Sequence, residues 1–169
     1  MEAAPDRQLR LLRELAETLD EAEIPFWLRG GWALDFLLGR VTREHADVDL
    51  VARREHEHDI RELLARAGFA FERELPGVAV DFLREGESFQ ILLVEDGPGD
   101  SLVCHGFESW PFPPGALDLT PRRIGGLACR TLTVDALLHE KETYERHRGR
   151  PLRPQDRRSI ELLRELRRS

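Results

Sequence analysis

The feature that most constrains the fold is a pair of glycines between a short apolar segment and an apolar helix. Phe26-Trp27-Leu28 is typical of a short buried strand, and Gly30-Gly31 comes almost directly after it. The apolar run from Trp32 to Leu38 then has helical character and ends at Gly39. A strand that turns through two glycines into a helix lets the backbone approach a phosphate closely, because the amides at a helix N-terminus point at bound anions.

A second motif begins sixteen residues after Gly31. The segment Asp47-Val48-Asp49-Leu50-Val51 alternates polar with apolar side chains, which predicts a strand with one lined face. Both carboxylates then project from the same side of the sheet, roughly 6–7 Å apart, and suit oxygen ligands that converge on divalent cations. Metal ions bound to a triphosphate beside a Gly-Gly turn are what nucleotidyl transfer requires.

The rest of the chain predicts helices that pack on a small sheet. The predicted helices cover residues 6–22, 55–67, 133–147 and 154–168, and the predicted strands cover 70–75, 78–84 and 88–94, with a further hairpin at 124–127 that leads into 128–132. This order predicts an α+β domain over residues 1–169, with a sheet-bearing core at 1–130 and a helical part at 131–169.

Charge is distributed unevenly along the chain. The total is 25 basic and 32 acidic residues, a net charge of -7. Residues 146–169 hold nine arginines and three acidic residues, so this segment carries +6 and residues 1–145 carry -13. An acidic body disfavours sequence-independent binding of duplex nucleic acid and favours a cationic small molecule or bound metal ions.

Other composition features exclude several classes of protein. No apolar stretch approaches the ~20 residues of a membrane span, and the N-terminal segment lacks the pattern of a secretion signal. Two cysteines, Cys104 and Cys129, provide no disulfide framework and no metal cluster. We therefore expect a cytoplasmic protein that does not bind membranes, and the sequence leaves its oligomeric state open.

The two motifs together resemble those of the minimal nucleotidyltransferase superfamily. Residues 27–50 fit, almost without a gap, the pattern W-L-x-G-G-W-A-L-D…L-G-R-V-T-R-x-H-x-D-x-D-L of its aminoglycoside 2''-adenylyltransferase and lincosamide nucleotidyltransferase group. Beyond residue 50 the likeness is looser and rests on Gly125-Gly126, on the helix with Lys141 and Tyr144, and on Arg153-Pro154-Gln155-Asp156. The resemblance implies an α+β fold in which a small mixed β-sheet is flanked by helices, with further helices at the C-terminus.

The resemblance also implies ligands and roles. The co-substrate would be ATP or another nucleoside triphosphate, the cofactor Mg²⁺, and the partner a small molecule with a hydroxyl that accepts the nucleotide. The implied nucleotide-binding residues are Gly30, Gly31, Arg43 and Lys141, and the implied metal ligands and catalytic residues are Asp47 and Asp49. His45 is expected to order the loop before the Asp47 strand, and Asp35 to anchor that loop through Arg40 or Arg43.

One carboxylate of the resembling group is missing. The group supplies a third acid from a later strand, where it ligates metal or takes the proton of the attacking hydroxyl. Here that strand is 88–94, and the expected acid falls at Leu92, or at Gln90 if the register is shifted. Neither side chain can act as a base.

A nearby acid can take over this role. If Gly86-Glu87 forms a two-residue turn, Asp81 lies opposite Leu92 and is a candidate catalytic residue, since cross-strand neighbours are about 5 Å apart. A three-residue turn would instead place Asp81 on the other face of the sheet. Glu95, near the end of the strand, is a second candidate.

These observations favour an enzyme. We expect metal-dependent transfer of a nucleoside monophosphate, AMP from ATP, to a hydroxyl of a small antibiotic-like molecule, and the acidic body favours a cationic one. The gap at Leu92 leaves two alternatives open. The protein is then either a catalytically degenerate relative that binds a ligand or partner, or an enzyme that reuses the cleft for metal-independent, biosynthetic chemistry, with Asp47, Asp49 or His45 as acid or base.

Overall fold

The computed structural model describes all residues from 1 to 169 and contains five α-helices and eight β-strands. In chain order these elements are α1 (Ala4–Glu21), β1 (Phe26–Arg29), α2 (Gly30–Leu38), β2 (Val48–Arg53), α3 (Glu57–Arg66), β3 (Ala70–Leu75), β4 (Ala79–Arg84), β5 (Glu87–Asp96), β6 (Leu102–Val103), β7 (Arg122–Ile124), β8 (Leu127–Cys129), α4 (Val134–Arg148) and α5 (Pro154–Arg168). The predicted α+β class is confirmed, and the helices and the central strands lie where the sequence predicts them.

The main sheet is mixed, and its order brings the two sequence motifs together. Its strands follow the order β1-β2-β5-β4-β3, with β6 paired to the far end of β5. Strands β2 and β5 are parallel, and the other pairs are antiparallel. The strand that carries Asp49 therefore lies between the strand that precedes the Gly-Gly turn and the strand that lacks the expected acid.

One face of the sheet forms the core. Leu28, Leu50 and Ile91 are cross-strand neighbours on β1, β2 and β5, and each is almost fully buried. Behind them α1 contributes an apolar stripe of leucines at helical spacing. Leu12 is one of these leucines, and the stripe is almost fully buried. The buried side chains form one continuous cluster that also includes residues of α4 and α5. The opposite face of the sheet, formed by β1, β2, β5, β4 and β3, borders a cleft.

The hairpin between β4 and β5 differs from the expected one. Its two turn residues are Glu85 and Gly86, because Arg84 pairs with Glu87. Both turn residues have positive φ, 49° and 82°, as a two-residue hairpin turn of primed type requires. The expected turn at Gly86-Glu87 was thus wrong, and each residue of β4 faces a residue two positions earlier on β5 than expected.

None of the helices is both long enough and apolar enough to cross a membrane.

Candidate active site

A row of polar side chains crosses the open face of the sheet. In strand order it runs Arg29, Asp49, Gln90, Asp81 and Arg73, with each residue the direct cross-strand neighbour of the next. All five line a cleft of about 870 Å³ between the sheet, the loop at 104–112 and helices α4 and α5. That volume matches the size of small-molecule sites in proteins. We call this set the polar row.

The Gly-Gly turn lies at one end of the cleft and has no room for side chains. Gly30 has a φ of 69°, and a Cβ placed on it would lie 2.9 Å from Asp49 Oδ2. A Cβ on Gly31 would lie 2.3 Å from His45 Nδ1 and 2.9 Å from a terminal nitrogen of Arg43. No side chain caps the N-terminus of α2, which begins here. Its first amides are therefore open to an anion that enters the cleft.

The loop between α2 and β2 is held by a buried carboxylate. Asp35 is fully buried and accepts hydrogen bonds from the Thr42 amide at 3.1 Å and from the Thr42 hydroxyl. His45 Nε2 lies 2.7 Å from Asp35 Oδ2, and the His45 ring packs on Trp32 with ring centroids 4.8 Å apart. Asp35 thus anchors the loop as expected, but through Thr42 and His45; the expected partners Arg40 and Arg43 were wrong.

Asp47 and Asp49 follow this loop and face the cleft. Neither carboxylate makes a hydrogen bond or ion pair with another protein group, although both line the cleft. Burial raises the pKa of Asp49 above its ordinary value, and nearby Arg29 opposes that effect. Burial would lower the pKa of Arg29, but Glu140 and Asp49 outweigh it and raise that pKa. Arg29 itself is fixed by an ion pair with Glu140, in which the Arg29 Nε donates to both carboxylate oxygens at 3.0 Å.

The pair of free carboxylates fits a divalent cation. The four other acidic residues of the cleft, Glu74, Asp81, Glu140 and Asp156, are each bound to an arginine or lysine. Asp47 and Asp49 alone keep their oxygens open, and carboxylate oxygens are the ligands that Mg²⁺ prefers. No group of three acidic, histidine or cysteine side chains lies close enough to hold a metal by itself. The remaining ligands would then come from phosphate oxygens and water, as is common for Mg²⁺.

Of the two positions at which the sequence predicts the third acid, Gln90 lies within the polar row and Leu92 lies two residues further along β5. Gln90 is the cross-strand neighbour of Asp49 on one side and of Asp81 on the other, and its side-chain amide donates to Asp81 Oδ1 at 2.9 Å. The expected pairing of Asp81 with Leu92 was wrong, because the turn is one residue earlier. Asp81 therefore pairs with a residue two positions earlier on β5 than expected. Because side chains alternate between the two faces of a strand, a shift of two residues leaves Asp81 facing the cleft.

Asp81 lies in the cleft beside Gln90, and Glu95 lies elsewhere. Asp81 is buried, and the Arg73 guanidinium donates to its second oxygen. Glu95 does not line the cleft and accepts a hydrogen bond of 3.2 Å from Arg54. Of the two candidate bases in the sequence, the structure places only Asp81 on the face that carries Asp49.

The opposite wall of the cleft comes from α4 and α5. Lys141 donates to Asp156 at 2.9 Å, and Arg153 binds the same carboxylate at 2.8 Å. Burial would raise the pKa of Asp156, but the hydrogen bonds from Arg153 and Lys141 outweigh it and hold the pKa well below its ordinary value. Asp156 therefore fixes the ammonium of Lys141 in the cleft, on the side that faces Asp49.

Aromatic side chains form part of the same wall. Trp110 stacks on His147 with ring centroids 4.9 Å apart, and its indole donates to Thr143 at 2.8 Å. Phe107 and Phe112 lie beside it in the loop at 104–112, and Phe112 is buried. Trp110 therefore anchors this loop to α4 and also presents a face to the cleft.

Sequence reasoning missed two residues that shape this site. The sequence patterns assign no role to Arg29, which lies in the glycine motif, or to Arg73, which lies in a predicted strand. Both are cations at the ends of the polar row. The carboxylate partner of Arg29 is 111 residues away in the sequence, and that of Arg73 is 8 residues away, across the β3–β4 hairpin. The strand alternation of β1 could have placed Arg29 on the Asp49 face; nothing in the sequence pairs Arg73 with Asp81.

Comparisons with known proteins show which family the chain belongs to. The family described as aminoglycoside-2''-adenylyltransferase matches residues 11–163. A 2''-aminoglycoside nucleotidyltransferase of Klebsiella pneumoniae is 37% identical over 68 residues, which are 40% of this chain and 38% of that protein. The aligned segment thus spans less than half of that relative.

Two solved structures share the fold. The crystal structure of ANT(2'')-Ia in complex with adenylyl-2''-tobramycin has a TM-score of 0.75 at 22% identity and covers 93% of this chain and 87% of its own. The lincomycin-bound lincosamide antibiotic adenylyltransferase LnuA has a TM-score of 0.70 at 19% identity and covers 92% of this chain and 95% of its own. Because the family match extends over most of the sequence, the resemblance stated above is confirmed: the chain belongs to the aminoglycoside-2''-adenylyltransferase family.

Proposed function

We propose that this protein transfers AMP from ATP to a hydroxyl group of a small antibiotic-like molecule in a Mg²⁺-dependent reaction. One observation carries the proposal: two carboxylates without protein partners, Asp47 and Asp49, face a cleft beside an uncapped helix N-terminus. The named activities of the relatives support it, since they transfer nucleotides to antibiotics.

Different residues of the cleft have different roles in the proposed reaction. The amides at Gly30 and Gly31 face the phosphates, and Arg43 and Lys141 supply positive charge on either side of them. Asp47 and Asp49 would hold Mg²⁺, which would neutralise charge on the phosphates and on the leaving pyrophosphate. The cleft positions the acceptor so that its hydroxyl oxygen is in line with the bond that breaks.

Asp81 is the residue that we assign to the acceptor's proton. The acceptor oxygen forms a bond to the α-phosphorus, the bond between the α-phosphorus and its bridging oxygen to the β-phosphate breaks, and pyrophosphate leaves. The hydroxyl proton passes to Asp81, whose carboxylate lies one strand beyond Gln90 on the same face. Arg73 and Gln90 each hold one oxygen of Asp81 and so fix its orientation.

The direct test is release of pyrophosphate from ATP in the presence of candidate acceptors and Mg²⁺. We expect release that depends on both the acceptor and the metal. A degenerate binding protein would instead gain thermal stability from ATP and Mg²⁺ by mass action but release no pyrophosphate with any acceptor. An enzyme that uses the cleft for other chemistry would keep its activity in EDTA.

A further inference from the structure

We infer that the acceptor site is built for a hydroxyl compound of low positive charge with an apolar part, and that Arg73 excludes polyamines from it. This inference rests on the proposed function, because it concerns the molecule that receives the nucleotide. It also revises the sequence-based expectation of a cationic acceptor, since the negative charge of the body does not lie free in the cleft.

The carboxylates of the cleft leave no partner for additional amines. Four of its six acidic residues are neutralised: Glu74 by Arg61, Asp81 by Arg73, Glu140 by Arg29, and Asp156 by Lys141 and Arg153. The two others, Asp47 and Asp49, are the proposed metal ligands. With Mg²⁺ bound, no cleft carboxylate remains unpaired for the ammonium groups of a polycationic acceptor.

Unpaired cations also line the cleft. Seven arginine or lysine residues line it, and Arg43, Arg148 and Arg150 make no ion pair with any acidic residue. Arg43 lies near the Gly-Gly turn, on the phosphate side. Arg148 and Arg150 lie at the end of α4 and just beyond it, at the rim of the same cleft. A molecule with several ammonium groups would approach a rim of like charge, which disfavours its binding.

The sheet offers an apolar floor beside the polar row. Two residues along each strand from Gln90, Asp81 and Arg73 lie Leu92, Ala79 and Leu75, which are again direct cross-strand neighbours. All three line the cleft, and Leu75 is half exposed although it is a large apolar residue. Phe107 and Trp110 border the same space. An apolar portion of the acceptor would cover this floor while its hydroxyl reaches Asp81.

Arg73 is the residue that distinguishes between the two kinds of acceptor. Its guanidinium binds Asp81, but its side chain is 78% exposed, so a solute that enters the cleft can reach this ion pair. An incoming ammonium group could compete for Asp81, yet the charge of Arg73 would remain beside it and oppose its binding. Removal of this charge frees Asp81 for an amine. Arg73 is therefore a specificity-determining residue.

The test compares equilibrium binding of lincomycin, which has one amine, with that of tobramycin, which has several. Each is titrated by calorimetry into the full chain loaded with Mg²⁺ and a non-hydrolysable ATP analogue at physiological salt. We expect the wild type to bind lincomycin at least about tenfold more tightly, the effect of one uncompensated like charge. Arg73→Gln should reduce this ratio about tenfold, and Arg73→Lys, which retains the charge, should preserve it.

The experiment includes a matched control variant, and its outcomes distinguish failure of this inference from failure of the proposed function. Arg66→Gln removes an exposed arginine of α3 that does not line the cleft, and it should leave the ratio unchanged. Tighter binding of tobramycin by the wild type, an unchanged ratio in Arg73→Gln, or binding of neither compound would overturn the inference while the nucleotide site stands. Failure of the ATP analogue itself to bind would instead count against the proposed function.

Discussion

Gln90 Nε2 donates a hydrogen bond of 2.9 Å to Asp81 Oδ1, and this bond joins one of the two positions at which the family's third carboxylate was expected to an acid on the neighbouring strand. Gln90 is also the cross-strand neighbour of Asp49. An amide between the two carboxylates separates them without adding negative charge. A carboxylate at position 90 would repel both neighbours until metal or a proton neutralised it.

This geometry predicts that the proton-accepting role can be moved between strands. Asp81→Asn should reduce kcat about 100-fold or more, because a neutral amide cannot accept the hydroxyl proton, while the affinity for ATP stays near that of the wild type. The double variant Asp81→Asn/Gln90→Asp restores a carboxylate one strand closer to Asp49 and should recover part of the loss. Unchanged turnover in Asp81→Asn would show that Asp81 does not take the proton.

The Gly-Gly turn should not tolerate a methyl group at its second position. A Cβ on Gly31 would lie 2.3 Å from the His45 ring, which Asp35 and Trp32 hold in place. Gly31→Ala should therefore lower the free energy of unfolding by about 1–3 kcal/mol and weaken ATP binding, as measured by chemical denaturation and nucleotide titration. Gly126→Ala is the matched control, because its Cβ would meet no atom within 4 Å. Equal effects of the two substitutions would contradict the account of this turn.

Asp35 should be required for stability and for order in the loop that leads to Asp47. Asp35→Ala leaves the Thr42 amide, the Thr42 hydroxyl and the His45 ring without their buried acceptor. We expect a loss of about 2–4 kcal/mol in the free energy of unfolding, since unsatisfied buried polar groups are costly. Hydrogen exchange should show faster opening of residues 40–47 than of α1. Slow exchange in this loop despite the substitution would mean that other contacts hold it.

The cysteines should react slowly while the protein is folded. Burial raises the pKa of Cys104 from 9.0 to about 11 and that of Cys129 to about 12. Alkylation of Cys104 at pH 9 should accordingly be about 50-fold slower in the folded protein than in denaturant, because the thiolate is the reactive form.

The same shift makes stability depend on pH. The folded state keeps a thiol proton that the unfolded state loses, so this contribution is complete below the unfolded pKa of 9.0 and declines as the pH rises above it. Denaturation at pH 8 and pH 10, compared with a Cys104→Ala variant, measures the effect. Stability of the wild type that increases over this range relative to the variant would contradict the assigned direction.

Local patterns in the sequence predicted most of the fold. Strand β3 and helix α5 begin and end where their periodicity places them, and Gly39 ends α2 in the left-handed conformation. The hairpin register was wrong because Glu85 adopts positive φ, which sequence patterns assign to Gly, Asn or Asp. Strand β6 was missed because two residues carry too little periodicity to detect.

Local sequence patterns also predicted which residues of one part of the site lie together. Gly30, Gly31, Asp47 and Asp49 are close in sequence, so strand alternation and the turn placed them together. The ion pair of Arg73 with Asp81 depends on the register of the β3–β4 hairpin, and that of Lys141 with Asp156 depends on how α4 packs against α5. Local patterns do not specify this register or this packing. The predicted roles of all the site residues remain proposals, namely those of Gly30, Gly31, Arg43, Asp47, Asp49, Asp81 and Lys141.

The central claim is tested most directly by following ATP labelled at its α-phosphate in the presence of Mg²⁺ and lincomycin. The account predicts that the wild type moves the label onto the acceptor with an equal amount of pyrophosphate released. Asp49→Asn should lose at least about 100-fold of this activity, since it removes a proposed metal ligand, whereas Asp100→Asn, an exposed acid away from the cleft, should retain it. Label that reaches no hydroxyl acceptor, in lincomycin or in a wider panel, while the same protein binds ATP, would contradict the claim that this protein is a nucleotidyltransferase.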